Sequence, residues 1–229
     1  MSDLKILIVI DSLGAGGAEK STEVLCHFLA QQKVKFDIIC LNKKKVGVQQ
    51  DMVVAGYNIE FIDRLSFINQ VNFITNKIKN NNYNIVHSIL FRSNIRVRLC
   101  RLKVKFFHLE SLVNTTYSKS RQNDPKVNRI GLYSYWLLDR LSINRFVNHF
   151  HSVTETVKKH YIQKLNVPPS KISVIYRGRD SINIKSTLQL SEFGFSADSD
   201  FVIVTTGRHE YQKAQVQLLK AINLVHKQG

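Results

Sequence analysis

The sequence predicts an α/β fold, a doubly wound parallel sheet with helices on both faces. Three observations predict it. Short runs rich in β-branched residues alternate with longer stretches whose apolar residues recur at helical spacing. A glycine turn, Gly14-Ala15-Gly16-Gly17, directly follows the first such run. Apolar residues make up 44% of the 229, enough to bury one sizeable core rather than stay disordered.

Taken in order, Leu4–Ile10 reads as the first strand. Beyond the glycines, Val24, Leu25, Phe28 and Leu29 recur with helical spacing. Val34–Leu41 reads as a strand, Val48–Ala55 as a short helix ended by Gly56, and Asn58–Ile62 as a third strand. Phe67, Val71, Ile74 and Ile78 share one face of the next helix, closed by the polar run Lys79–Asn82. Asn84–His87 makes a fourth strand with His87 at its end, and Val104–His108 a fifth, with a helix from about Ser93 to Arg101 between them.

A polar loop from about Asn114 to Asp124 leads to a long helix starting near Pro125, a residue that suits a first helical turn. That helix carries Ile130, Tyr133, Trp136, Leu137, Leu141 and Phe146, with its aromatics expected in the core and membrane anchoring by Tyr133, Tyr135, Trp136 and Leu137 as the alternative. His149–Val153 is a strand. Thr154–Leu165 is a helix that Thr154 can cap, and Ile172–Tyr176 is a further strand. Strand–helix alternation of this kind makes a parallel sheet covered on both faces. Residues 1–180 are thus one domain, 181–200 a polar linker, and 201–229 the strand Phe201–Thr205 and helix Tyr211–Lys227 of a second. A lone strand–helix unit cannot cover its own faces, so the second domain is expected to be truncated, with docking of this last unit onto the first sheet as the alternative.

The charge balance, 33 Lys and Arg against 17 Asp and Glu, gives a net +16 and implies an anionic partner. Nucleic acid, a membrane surface and a phosphorylated substrate all qualify. Cys26, Cys40 and Cys100 are scattered and lack metal-ligand spacing, so they read as small buried hydrophobes in a reducing compartment. The first apolar run is too short for a signal segment or a membrane span. The expectation is a cytoplasmic chain, with the inner face of the cell membrane as a candidate resting place.

In an open parallel sheet, ligands bind beyond the carboxyl ends of the strands, where Gly14, Gly16 and Gly17 fall. Glycines admit close backbone approach, and a helix starting near Ala18 offers free amides to an anion. A Walker loop needs glycine directly before its lysine; here Glu19 precedes Lys20-Ser21. A dinucleotide fingerprint needs a third glycine where Glu19 stands, and an acid where the second strand ends in Leu41-Asn42-Lys43. A ligand-free tight turn is the plain alternative.

Gly16-Gly17-Ala18-Glu19-Lys20 resembles the first loop of the family-4 retaining glycosyltransferases, which have two Rossmann-like domains. Further segments resemble that family in the expected order. They are Val86–Asn94, Ser111-Leu112-Val113-Asn114-Thr115, Val153–Lys158, Ile172–Asp180 and Thr206–Ala214. The chain departs from many members by Ile89 in place of a second histidine, by Ser-Leu-Val-Asn in place of Glu-His-Asn, and by Ala214 in place of a glycine.

The resemblance implies sugar transfer from a nucleotide-diphosphate sugar, with retention and without a metal or other cofactor. It implies a glycan or lipid-linked acceptor, as in cell-surface polysaccharide synthesis. Gly16, Gly17, Arg208 and Lys213 become the donor-diphosphate residues, a fork and a point charge suited to phosphate. His87 becomes the candidate catalytic contact, with an ordinary hydrogen-bonded histidine as the alternative. Ser111, Asn114, Thr154, Arg177 and Gly178 become the acceptor or substrate loops. His108, His149 and His151 read as structural. The basic stretch Arg92, Arg96, Arg98, Arg101, Lys103 and Lys105 reads either as a solvated face or as attraction to anionic lipid. An inactive fragment that only binds acceptor remains an alternative; a nucleic-acid-binding protein is disfavoured because no recognised module is present.

Overall fold

The computed structural model describes residues 4–178, 189–196, 200–207 and 209–227. Seven strands form one sheet in the order β3-β2-β1-β4-β5-β6-β7, every neighbouring pair parallel. They are β1 (Lys5–Ser12), β2 (Lys35–Asn42), β3 (Ile59–Phe61), β4 (Ile85–Ile89), β5 (Phe107–Leu112), β6 (His149–Ser152) and β7 (Ile172–Val174). The principal helices are α1 (Gly17–Gln31), α2 (Gln49–Val54), α3 (Phe67–Asn81), α4 (Phe91–Cys100), α5 (Lys119–Gln122), α6 (Arg129–Phe146), α7 (Glu155–Leu165) and α8 (Gln215–His226). The doubly wound α/β class follows from this order.

Alternation along the strands divides the core in two. Leu7, Val9, Ile39, Leu41 and Val86 pack with Val71, Ile74 and Ile78 of α3 and Val97 of α4. Ile8, Ile10, Ile38, Cys40 and Ile89 pack with Ala18, Cys26 and Leu29 of α1 and Met52 of α2. Cover on both faces explains why β1 reads as a continuous apolar run rather than an alternating one. The three cysteines are free and buried, and burial pushes their thiols up, Cys26 to about 12 and the others to about 11. They are poor nucleophiles there.

Several expected boundaries move. β4 continues to Ile89, because Ser88 and Ile89 find partners on both β1 and β5. β5 starts later than expected, since Val104 is held in the turn that closes α4, its amide on the Cys100 carbonyl at 3.0 Å. The long helix begins at Arg129, because Asp124 ties the Pro125 segment into a turn through the Lys126 and Val127 amides. Phe201–Thr205 forms no strand, there being no ladder partner beside it among the described residues. Most of 181–199 lies outside the described residues; Leu190–Phe193 is a single 3-10 turn.

The described residues fall into two compact units. One comprises the chain through Tyr117 together with Arg129–Arg177 and holds the whole sheet. The other comprises Ser118–Asn128 and the chain from Gly178 onward, with α5 and α8.

Candidate functional site

The direction of the connections reverses between β1 and β4, which opens a crevice at their carboxyl ends. The turn from Ser12 to Gly16 and the start of α1 form one wall. Gly16 is the N-cap of α1 in extended conformation and has no side chain to cap the helix. Glu19 folds back instead: its carboxylate accepts from Ser12 Oγ at 3.3 Å and lies where a Cβ on Gly16 would be. Glycine at position 16 is therefore what lets Glu19 reach the helix start.

Two cations flank this turn. A Cβ on Gly17 would stand 3.5 Å from Arg177 Nη1, so the Arg177 guanidinium lies at the N-terminus of α1. A Cβ on Gly14 would stand 3.7 Å from Lys44 Cγ. Beneath the turn, Gly47 adopts φ +130°, and a Cβ there would overlap the Gly14 backbone. The amides of Val48 and Gln49 bond the carbonyls of Gly14 and Leu13 at 3.3 and 3.1 Å. The loop after β2 thus buttresses the glycine turn.

On the other side of the crevice, Asp11 at the end of β1 accepts from the Ser93 amide and hydroxyl, each at 2.7 Å, and from the Arg92 amide at 3.2 Å. Desolvation raises its pKa, although these hydrogen bonds oppose the rise. The N-terminus of α4 is thereby already occupied by a carboxylate. Leu90, which precedes α4, holds φ +75°, a conformation that costs a residue with a Cβ and that clusters at ligand-binding rims.

His87 lies in the middle of β4, between Ile8 and Leu109, rather than at the strand end the sequence suggested. It is 6% exposed. Its Nε2 lies 2.8 Å from Ser111 Oγ, which lies 3.2 Å from His151 Nδ1, and His151 Nε2 lies 3.0 Å from the Ile175 carbonyl. The carbonyl can only accept, so His151 carries a hydrogen on Nε2, and its neutral form accepts at Nδ1. Ser111 then donates to His151 and accepts from His87 Nε2–H. His87 is held in one tautomer with its Nδ1 lone pair open. Burial, with the nearby His151 adding to it, pushes its pKa down to about 3, so it is neutral at ordinary pH.

The remaining sequence candidates have separate surroundings. Thr154 accepts from the Val157 amide at 3.1 Å and caps α7, as expected. Asn114 is exposed and accepts from Thr116 Oγ1 at 2.6 Å within its own loop. Gly178 and Lys213 belong to the second unit, where Lys213 ends an exposed 3-10 turn. Arg208 lies outside the described residues. No group of three or more His, Cys, Asp or Glu among the described residues is arranged around a common metal position.

A sheet of this order with a glycine turn at its switch point is shared by many nucleotide-binding proteins, so the comparisons decide the family. The family model described as Glycosyltransferase Family 4 matches residues 15–181, most of the chain. The chain belongs to glycosyltransferase family 4. No curated protein matches it by sequence. Among solved structures, Anabaena HepE in complex with UDP and glucose is similar at 13% identity and TM-score 0.60, covering 77% of this chain and 45% of that one. A glycosyltransferase from Rickettsia africae is similar at 17% identity and TM-score 0.57, covering 78% and 44%. The lipopolysaccharide outer core galactosyltransferase WaaB is similar at 15% identity and TM-score 0.53, covering 81% and 48%. At these identities the likeness establishes a common fold, and the chain spans less than half the length of each of these structures.

Within this family-4 chain, sequence reasoning missed Gly47, Asp11 and Lys44. Gly47 was legible as a lone glycine after Lys43-Lys44-Lys45, but its contact with Gly14 is long-range. The basic stretch was read as one surface, and Arg98 overturns that. Arg98 is 2% exposed, forked onto Glu110 at 2.9 and 2.5 Å and bonded to Asp139 at 2.7 Å and Ser142 at 3.0 Å. Tyr117 closes the cluster by donating to Asp139 at 2.5 Å. Arg98 neither faces water nor could reach a lipid.

Proposed function

We propose that this chain forms the acceptor-side part of an enzyme that moves a sugar from a nucleotide-diphosphate sugar to a glycan or lipid-linked acceptor. Cell-surface polysaccharide synthesis is the setting this chemistry suits. Residues 1–180 make the acceptor-side domain, 181–200 join it onward, and 201–229 begin the donor-binding part. The observation that carries the reading is the Arg177 guanidinium beside Gly17 at the open start of α1. A leaving diphosphate needs helix amides and a counter-cation, and the more so here because Glu19 brings a carboxylate to the same place.

Arg177 supplies a planar fork and Lys44 a second charge at this rim. Neutralisation by side chains serves the departing diphosphate without a metal. Net retention of configuration is part of the proposal and assigns no enzymatic nucleophile. His87, neutral and offering Nδ1, suits acceptance of a hydrogen bond from a sugar hydroxyl. Ser111 orients it, while Thr154 acts by capping α7.

UDP-glucose is the first probe, because HepE was solved with it. Amide resonances of the 229-residue chain should shift on addition of UDP-glucose at Gly14–Lys20 and near Arg177. Arg177→Gln should weaken that binding by about tenfold, the worth of one charge-assisted phosphate contact. Shifts confined to other surfaces, or an unchanged affinity in the variant, would refute the assignment of this rim. Transfer of labelled sugar from a nucleotide sugar to a membrane lipid extract tests the acceptor class.

A further inference from the structure

The hydrogen-bonded chain from His87 to Ile175 has a direction, and one group in it can reverse that direction. Ile175 directly follows β7, and its amide bonds the Ser152 carbonyl at 3.0 Å while its own carbonyl meets His151 Nε2 at 3.0 Å. Ser111 stands opposite His151 in the β5–β6 register, and its hydroxyl joins His151 Nδ1 at 3.2 Å to His87 Nε2 at 2.8 Å. With His151 neutral, every hydrogen points from β4 toward β7. His87 Nε2–H donates to Ser111, Ser111 to His151, and His151 Nε2–H to the carbonyl. The lone pair on His87 Nδ1 is what this direction leaves over.

A proton on His151 changes the pattern. His151 is half-buried, whereas His87 and Ser111 are 6% and 5% exposed, so solvent delivers and stabilises charge at His151 rather than deeper in. Burial holds His87 down to about 3. An imidazolium donates from both nitrogens. The Ile175 carbonyl still takes Nε2–H, and Nδ1–H now points at Ser111, whose oxygen must accept it. Of the partners Ser111 Oγ has among the described residues, only His87 Nε2 is then left to take its hydrogen. His87 can do so once its own hydrogen sits on Nδ1; otherwise a buried hydroxyl hydrogen stays unmatched, which is costly.

We propose that His151 is a positioning residue for His87: acting through Ser111, its protonation switches His87 from the Nε2–H to the Nδ1–H tautomer and turns the end of the chain from an acceptor into a donor. The consequence rests on the sugar-transfer reading. An attacking hydroxyl offers its oxygen to the sugar carbon and sends its hydrogen elsewhere. His87 Nδ1 as an acceptor draws that hydrogen aside, whereas His87 Nδ1–H competes for the oxygen. The ring is uncharged in both forms, so the contact changes sense without bringing charge into the crevice.

The titratable and charged groups around the chain lie outside its bonds. His149, two residues along β6, is bonded to Ser173 Oγ at 2.9 Å. His108, on the far face of β5, is held down to about 3 by burial. Arg177 and Glu19 stand at the rim beside Gly17 and Gly16.

Long-range ¹H–¹⁵N spectra of the 229-residue chain, labelled at histidine, read each ring nitrogen with no donor or acceptor sugar present. On titration down from about pH 8, His151 should pass to imidazolium while His87 stays neutral. The His87 Nε2 and Nδ1 shifts should exchange places at the same midpoint. His151→Gln should abolish that step and leave His87 in one tautomer. Ser111→Ala should leave His151 titrating with no matching step at His87, and Ser111→Thr should restore the step. His149→Gln, outside the chain of bonds, should change nothing at His87, and far-UV circular dichroism should be the same throughout.

His87 keeping Nε2–H while His151 titrates overturns the proposal, as does a step that survives in His151→Gln or Ser111→Ala. So does a His151 that stays neutral until the chain unfolds. No sugar enters these spectra, so failure here leaves the sugar-transfer reading standing.

Discussion

Glu110 and Ser111 are consecutive on β5, point to opposite faces of the sheet, and anchor two buried polar networks of different kinds. Glu110 belongs to a charged cluster with Arg98, Asp139 and Tyr117, walled by α4 and α6. Ser111 belongs to a neutral chain from His87 to the Ile175 carbonyl. Both are well bonded and both hold groups with displaced pKa values. The charged cluster turns in on itself and ties two helices to the sheet. The neutral chain runs strand to strand and ends with a lone pair on His87. Burial of polar groups therefore does not mark a site by itself; the place where the network terminates does.

The charged cluster should dominate stability. Arg98→Ala leaves Glu110 and Asp139 buried side by side without their cation, and is expected to cost about 3–5 kcal/mol in denaturant unfolding. A loss under about 1 kcal/mol would mean that the cluster is not desolvated as its geometry implies.

Acid should separate the two networks by sign. Burial holds His87 and His108 down to about 3, the Arg98 charge adding to the effect at His108. The unfolded chain takes up those protons first, from near the ordinary histidine value of about 6.5. Each histidine's contribution is thus complete above about pH 6.5 and falls, by up to about 1.4 kcal/mol per pH unit, toward pH 3. Glu110 goes the other way. Burial raises its pKa against the opposing Arg98, so its protonation on acidification favours the folded state. Unfolding free energies measured across this window should drop less steeply in His87→Gln than in the parent. An identical slope would mean that His87 is not held neutral.

The sheet was legible because its determinants are local. Apolar runs, helical spacing and the glycine turn each fit within a window of a dozen residues, and β1, α1 and α3 follow them closely. β5 was displaced because Val104 looks like a strand residue but is consumed by the turn after α4. Candidate residues read from motif order, such as Gly17 and Arg177, are distant in sequence yet meet at one rim, since parallel strands all end there. What could not be read was sign of burial. Arg98 sits among six basic residues, and only Glu110 and Asp139, 12 and 41 positions away, take it inside. The aromatics of α6 failed the same way: their spacing announces a helix, while Asp139 decides which side is in.

Removing the Ser111 hydroxyl gives the smaller effect and the sharper test. Ser111→Ala deletes the acceptor that His87 Nε2–H has among the described residues and should cost about 1–3 kcal/mol, less than Arg98→Ala. The stability change alone would not distinguish orientation from packing. Imidazole ¹⁵N shifts would. With Ser111 present, His87 should show a single tautomer protonated at Nε2; with alanine, nothing fixed by β5 selects between the ring nitrogens, and the signals should move toward a mixture. Ser111→Thr keeps the hydroxyl and should restore the single form. Were the alanine variant to retain it, the choice of tautomer would come from the cover over His87 rather than from the strands. The neutral network would then be a structural clasp like the charged one, and the contrast across β5 would reduce to charge alone.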